Sequence, residues 1–125
     1  MKHKRTWIYC RVAYPGTAAL AMQQMRLKAY AKTHGFEIVG ITAEEAHGLD
    51  FSRSGLVEIV REAAAGRMDI LLVANLSRLG RDWENTDAYL RWLEDHSVEV
   101  VCADYAIPQL AMEIVREVMK ASWCK

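Results

Sequence analysis

No charge of either sign is in surplus: the 125 residues carry 16 Lys and Arg against 16 Asp and Glu. Chains that coat nucleic acid without sequence preference are usually basic overall, so that class is set aside, while a local basic site is not. Cysteine is scarce. Cys10, Cys102 and Cys124 form no C-x-x-C pair and leave one odd, which argues against a disulfide framework. Cys10 and Cys102 fall in predicted strands and read as reduced packing residues of a cytoplasmic protein. Long hydrophobic runs are missing as well. After MKHKR the apolar stretch is short and interrupted by Arg11, so no signal peptide and no membrane span is expected. Repeats, low-complexity tracts and linkers are absent, and the length suits one domain over residues 1–125.

What the chain does contain is an alternation of strands and helices. A first strand is predicted over Thr6–Ala13, with Ile8, Cys10 and Val12 on one face and Tyr9, Arg11 and Ala13 on the other. Pro15 and Gly16 break it. A helix follows over Thr17–His34, where Leu20, Leu27, Tyr30 and Ala31 keep helical spacing and Gln23 or Gln24 fills the missing turn. Gly35 suits its end. The second strand is expected at Phe36–Thr42. A loop then runs to Arg53, and Ser52 or Ser54 is placed to cap a helix bearing Leu56, Ile59, Val60, Ala63 and Ala64. Asp69–Asn75 is the most apolar strand and reads as covered on both faces. A third helix begins near Asp82 and puts Trp83, Thr86, Leu90 and Leu93 on one side. A fourth strand is expected at Val98–Asp104. Pro108 opens a last helix, striped by Leu110, Ala111, Ile114, Val115 and Val118, and this stripe suits either a dimer surface or a cover for the sheet. The order predicts an α/β domain: a three-layer α/β/α sandwich around a mostly parallel sheet of four to five strands. Ligands of such sheets bind beyond the carboxyl ends of the strands.

Arginines gather at those ends. Arg11 lies two residues before the end of the first strand, Arg53 closes the loop after the second, and Arg78 and Arg81 follow the third in LSRLGRD. Guanidinium groups match phosphate oxygens bidentately and stay charged. Taken singly, Arg53, Arg78 or Arg81 also reads as a solvated residue or an ion-pair partner of Glu44, Glu45 or Asp82. Arg11 does not, because a central strand offers it no water. The basic start, Lys2–Arg5, reads as a solvated terminus.

Four segments in order, YCRVA, the Gln-bearing helix ALAMQQMRLKAYAKTHGF, GLDFSRSGL and DILLVANLSRLGRD, resemble the catalytic domain of the serine site-specific recombinases, the resolvase/invertase family. The resemblance spans about Trp7–Asp104. It implies that a serine hydroxyl attacks a DNA phosphate, that ends are exchanged in a tetramer, and that neither metal nor cofactor is needed. Carried over by position, Arg11, Arg53, Arg78 and Arg81 match the phosphate-binding arginines, Tyr9 the aromatic before the first of them, and Gln23 the active-site glutamine.

The same alignment of motifs exposes departures. Ala13 stands at the nucleophile position, and a methyl group cannot attack phosphorus. Ser77 replaces a frequent acidic residue and His47 a usual serine. Tyr14 and Thr17 are nearby hydroxyls, but Tyr14 is directed away by Pro15 and the strand alternation. Cys10 is on the wrong face. The chain ends within the helix that in the family continues to the dimer interface, and no DNA-binding domain follows. The expectation is therefore a resolvase-type domain of DNA recombination and mobile elements, without its nucleophile and with weak DNA affinity alone. The alternatives are a module that pairs with itself or a full-length recombinase through the last helix, and an active recombinase that uses an unrecognised nucleophile or is completed by a partner subunit.

Overall fold

The structure, a computed structural model, describes residues 3–48 and 53–104. The order is β1 (Arg5–Val12), α1 (Thr17–Thr33), β2 (Glu37–Glu45), α2 (Ser54–Ala64), β3 (Ile70–Val73), a 3-10 turn (Leu76–Arg78), α3 (Trp83–Asp95) and β4 (Glu99–Cys102). The last helix expected from Pro108 lies outside the described residues. The four described strands form one parallel sheet in the order β2-β1-β3-β4.

The alternation along β1 sorts the core into two halves. Ile8 and Cys10 point to one face and pack with Leu27 and Ala31 of α1 and with Ile70 and Leu72 of β3. Tyr9 points to the other, among Leu56 and Ile59 of α2, Leu90 and Leu93 of α3, and Leu71 and Val73. A helix layer on each face gives the expected sandwich. All of β3 is buried, as its unbroken apolar run predicts. On α3 the predicted stripe, Trp83, Thr86, Leu90 and Leu93, is the buried one. On α1 it is Gln23, not Gln24, that fills the missing turn and is buried with Leu27 and Ala31.

Several details differ from expectation; β3 and β4 are shorter than Asp69–Asn75 and Val98–Asp104, ending at Val73 and Cys102. β2 runs on to Glu45, three residues past Thr42, because its partner β1 is long enough to pair with it as far as Val12↔Glu45. Neither Ser52 nor Ser54 is seen capping α2: Arg53 occupies the N-cap position with its side chain committed elsewhere, Ser54 is already helical, and Ser52 lies outside the described residues. Ala64 is exposed rather than part of the apolar stripe. The helix ends use a common device instead. His34 stacks on Tyr30 at 3.9 Å and donates from Nδ1 to its carbonyl. His96 does the same with Trp92 at 3.8 Å. Each imidazole thus adds a second donor to a carbonyl in the last turn that already accepts the main-chain N–H of the same histidine.

The β1–β2 pairing slips once, between Thr6↔Ile38 and Trp7↔Gly40. The Trp7 ring lies over Gly40, where an added Cβ would stand 2.2 Å from Cζ3. Its indole N–H is tied to Thr42 Oγ1 at 2.8 Å, so the ring cannot swing aside without losing that bond. Gly40→Ala is therefore expected to destabilise the domain by about 1–3 kcal/mol, measured as a lowered midpoint in urea.

Candidate functional site

β1 overruns β3. Their pairing ends at Ile8↔Leu72, while β1 continues to Val12. The main-chain groups of Arg11 on the side away from β2 therefore need other partners. Gln23 supplies them: its Oε1 accepts from the Arg11 N–H at 3.1 Å, and its Nε2 donates to the Arg11 carbonyl at 3.3 Å. One carboxamide thus stands in for the missing strand and fixes where the Arg11 side chain departs.

That side chain is 4 % exposed and reaches three carbonyls. Nε donates to Arg78 O at 2.9 Å, Nη1 to Ala46 O at 2.9 Å, and Nη2 to Ser77 O at 2.8 Å. Burial, then the Arg53 charge, with Arg78 and Arg81 adding to it, pulls this guanidinium below its ordinary pKa. The charges of Arg53, Arg78 and Arg81 thus all lie within electrostatic reach of Arg11.

Arg53 is equally enclosed. Its Nε donates to Tyr9 Oη at 2.8 Å and lies 3.4 Å from Glu44 Oε2, while Nη2 reaches Arg78 O at 3.2 Å and also meets Leu79 O. Tyr9 in turn donates to Glu44 Oε2 at 2.6 Å. The second oxygen of Glu44 accepts from the Gly55 N–H at 3.1 Å, in the first turn of α2. A Cβ on Gly55 would fall 2.0 Å from Glu44 Oε2, so the carboxylate docks there because residue 55 is glycine. Tyr9, Glu44 and Arg53 form one largely buried, hydrogen-bonded polar unit.

Arg78 and Arg81 are less occupied. Arg78 Nη1 donates to Arg11 O at 3.1 Å, and its Nε is buried without a hydrogen-bond partner. Arg81 is exposed; its main-chain N–H holds Gly48 O at 2.9 Å, and its Cγ would lie 2.8 Å from a Cβ on Gly48. Residue 48 thus has to be small for the Arg81 and Arg11 side chains to pass. Asp82 pairs with neither arginine. It caps α3, accepting from the Glu84 N–H at 3.1 Å and from Asn85 Nδ2 at 2.6 Å.

Ala13, the exposed first residue past β1, stands beside this cluster in sequence with a methyl group and nothing else. The neighbouring hydroxyls are otherwise engaged or directed. Tyr14 is 82 % exposed. Thr17 Oγ1 donates to Glu45 Oε1 at 2.9 Å. Ser77 Oγ donates to Asn75 Oδ1, whose Nδ2 holds Asp104 Oδ2 at 2.9 Å. His47 is exposed, and its carbonyl lies 3.5 Å from Arg53 Nη1. Cys10 sits on the α1 face, as the alternation predicts, and burial pushes its thiol up to about 11. Glu44 is the member that reading the sequence did not place in the site. Its signal was present, an acidic residue within one loop of Arg53, but ion pairing at a surface would have looked identical.

Two outcomes follow from the buried unit. Glu44→Gln leaves the Arg53 charge enclosed without its carboxylate, and should cost about 3–5 kcal/mol in chemical denaturation. Glu44→Gln with Arg53→Met should cost less than the two single changes summed, because the orphaned charge leaves with its partner. Tyr9 and Tyr89 are both pushed up from the ordinary 10.0, chiefly by burial. The folded state holds those protons more tightly, so the stability they contribute is complete below pH 10 and is lost as pH rises above it. Urea midpoints at pH 8 and pH 11 should differ, and Tyr9→Phe should narrow the difference.

The family model for the resolvase N-terminal domain matches residues 6–122. Among solved structures, the fold matches the N-terminal catalytic domain of TP901-1 integrase with a TM-score of 0.80 at 20% identity, over 94% of this chain and 92% of that one. A resolvase family site-specific recombinase from Streptococcus pneumoniae aligns with a TM-score of 0.77 at 21% identity, over 95% and 87% of the two chains. The catalytic domain of the IS607-like serine recombinase ISC1926 TnpA gives 0.75 at 23% identity, over 94% and 79%. The chain, with its parallel sheet and its arginines gathered around the end of β1, belongs to the resolvase N-terminal domain family, the catalytic domain of serine recombinases.

Proposed function

We propose that this domain grips the phosphodiester backbone of DNA and does not form the covalent intermediate of strand exchange. The observation that carries the reading is Ala13. It is the exposed first residue past β1, two residues after Arg11, where the family's chemistry requires a hydroxyl. The arginines divide into two pairs. Arg11 and Arg53 are enclosed and supply fixed positive charge, although Nη1 and Nη2 of Arg11 each carry a second N–H. Arg78 and Arg81 are nearer solvent, and the unpartnered Nε of Arg78 is a donor that an anion's oxygen would satisfy. Tyr9 and Gln23 hold this array in place rather than touching the phosphate. No metal or cofactor enters the reading; arginines take the electrostatic role.

Binding of a labelled generic duplex, followed by fluorescence anisotropy across a salt series, tests the grip. Affinity should fall as salt rises. Arg78→Ala with Arg81→Ala should weaken binding further and reduce the slope of log K against log salt by about 2. Absence of binding at low salt overturns the DNA reading. For the chemistry, Ala13→Ser should produce covalent protein–DNA species on supercoiled plasmid, because an exposed strand end accepts one added oxygen without strain. A covalent adduct formed by the unchanged protein would overturn the assignment of inactivity.

A further inference from the structure

The short turn after β3 carries Arg78 and also supplies acceptors to the other arginines. The carbonyls of Ser77, Arg78 and Leu79, in and just past it, hold the Arg11 and Arg53 side chains. Yet the turn is three residues of 3-10 helix, a geometry with poor hydrogen bonds. Two main-chain bonds run within it, from the Arg78 N–H to Asn75 O at 3.2 Å and from the Leu79 N–H to Leu76 O at 3.0 Å. Asn75 stands at the N-cap position, but its side chain does not cap the turn. It joins a chain of side chains instead. Its Nδ2 donates to Asp104 Oδ2 at 2.9 Å, its Oδ1 accepts from Ser77 Oγ, and the other Asp104 oxygen pairs with Arg26 of α1.

Asp104 sets the direction of that chain. An ionised carboxylate only accepts, so the Asn75 carboxamide has to turn its amide nitrogen to Asp104 and its oxygen to Ser77. Ser77 then spends its one hydroxyl proton on Asn75 and has none for an incoming phosphate. Asp104 is itself anchored twice. Its N–H donates to the Ala74 carbonyl at 2.9 Å, and Arg26 holds its carboxylate from α1. Arg26 lies three residues after Gln23, on the same side of α1. One helix thus secures the end of β1 through Gln23 and the turn after β3 through Arg26 and Asp104. We propose that Asp104 is a positioning residue of the phosphate site: through Asn75 and Ser77 it fixes the turn, and with it the direction of Arg78 and the carbonyls that hold Arg11. This rests on the reading that the arginines grip phosphate. It predicts the opposite of what charge alone predicts. Removing a carboxylate beside an arginine cluster makes the site more positive and should tighten DNA binding. Removing the residue that aims Arg78 should loosen it.

Asp104→Ala and Asp104→Asn, made in the full chain, test it by fluorescence anisotropy with a labelled duplex at low salt. Asp104→Ala should bind about fivefold more weakly than the unchanged protein, the worth of one hydrogen bond. Asp104→Asn keeps a side-chain oxygen that accepts from Asn75 Nδ2, and should bind at least as tightly as the unchanged protein. Unchanged or tighter binding by Asp104→Ala, or an equal loss in both variants, overturns the proposal. A second readout needs no DNA: NMR spectra of the arginine Nε–H groups. In Asp104→Ala the Arg11 and Arg78 signals should shift, while that of Arg91, bonded to Asp87 on α3, should stay. In Asp104→Asn the Arg11 and Arg78 signals should return close to their original positions. Fixed Arg11 and Arg78 signals in Asp104→Ala, or a general shift that includes Arg91, overturn the proposal. If the unchanged protein fails to bind duplex, the DNA reading alone falls, and the spectra still decide whether Asp104 positions the arginines.

Discussion

The site depends on two guanidinium groups buried between two rows of carbonyls. Ala46 and His47 offer one row and residues 77–79 the other, and the Arg11 and Arg53 side chains bridge them. A buried cation is costly unless it is met by many well-placed acceptors. Here most of the acceptors are main-chain oxygens that would themselves be left unpaired at the end of β2 and in the turn after β3. Each group removes the penalty of the other. The arrangement joins the loops at the carboxyl ends of three parallel strands, where open α/β sheets bind their ligands.

Getting Arg11 to that position is a problem of strand length. β1 must outrun β3 for its end to project toward the loops, and outrunning β3 exposes main-chain groups that only a side chain can satisfy. Gln23 meets this from α1, which explains a buried glutamine in the middle of an apolar stripe. Glu44 does the corresponding work for Arg53, joining β2, β1 and α2 through the Gly55 N–H and the Tyr9 hydroxyl. The whole chain is charge-balanced, yet four arginines converge near one point. Neutrality overall and a local excess of positive charge are compatible: Glu44 pairs with Arg53 in the cluster, while carboxylates such as Asp87 and Asp69 pair with Arg91 and Arg5 elsewhere.

Periodicity made the fold legible. The alternation in Thr6–Val12 separated Ile8 and Cys10 from Tyr9 and Arg11, and the structure keeps that separation. The all-apolar run at β3 announced a strand covered on both faces. What periodicity could not show is pairing between distant elements. β2 extends to Glu45 because β1 is there to receive it, and nothing within AEEAHG encodes that length. The α2 start went astray for the same kind of reason: a serine looks like a cap, but Arg53 at the N-cap position is held by Tyr9, Glu44 and the 77–79 carbonyls, contacts from three other parts of the chain. The arginines were visible as residues. Their division into two enclosed and two open ones was not, since only the depth of each loop sets it.

That division changes what the cluster says about chemistry. Replacing a serine by alanine at an exposed strand end removes a nucleophile and almost no packing, so the fold is indifferent to the loss. Arg11 and Arg53 would persist in such a domain for structural reasons, since removing either leaves several carbonyls unpaired. Their presence is therefore weak testimony to a working site. Arg78 is different: its Nε is buried without an acceptor, a cost of about 1–3 kcal/mol that the fold gains nothing from. Arg81, exposed, stabilises little by its charge. Beyond the one bond from Arg78 Nη1 to the Arg11 carbonyl, the charges of these two side chains do little for the fold.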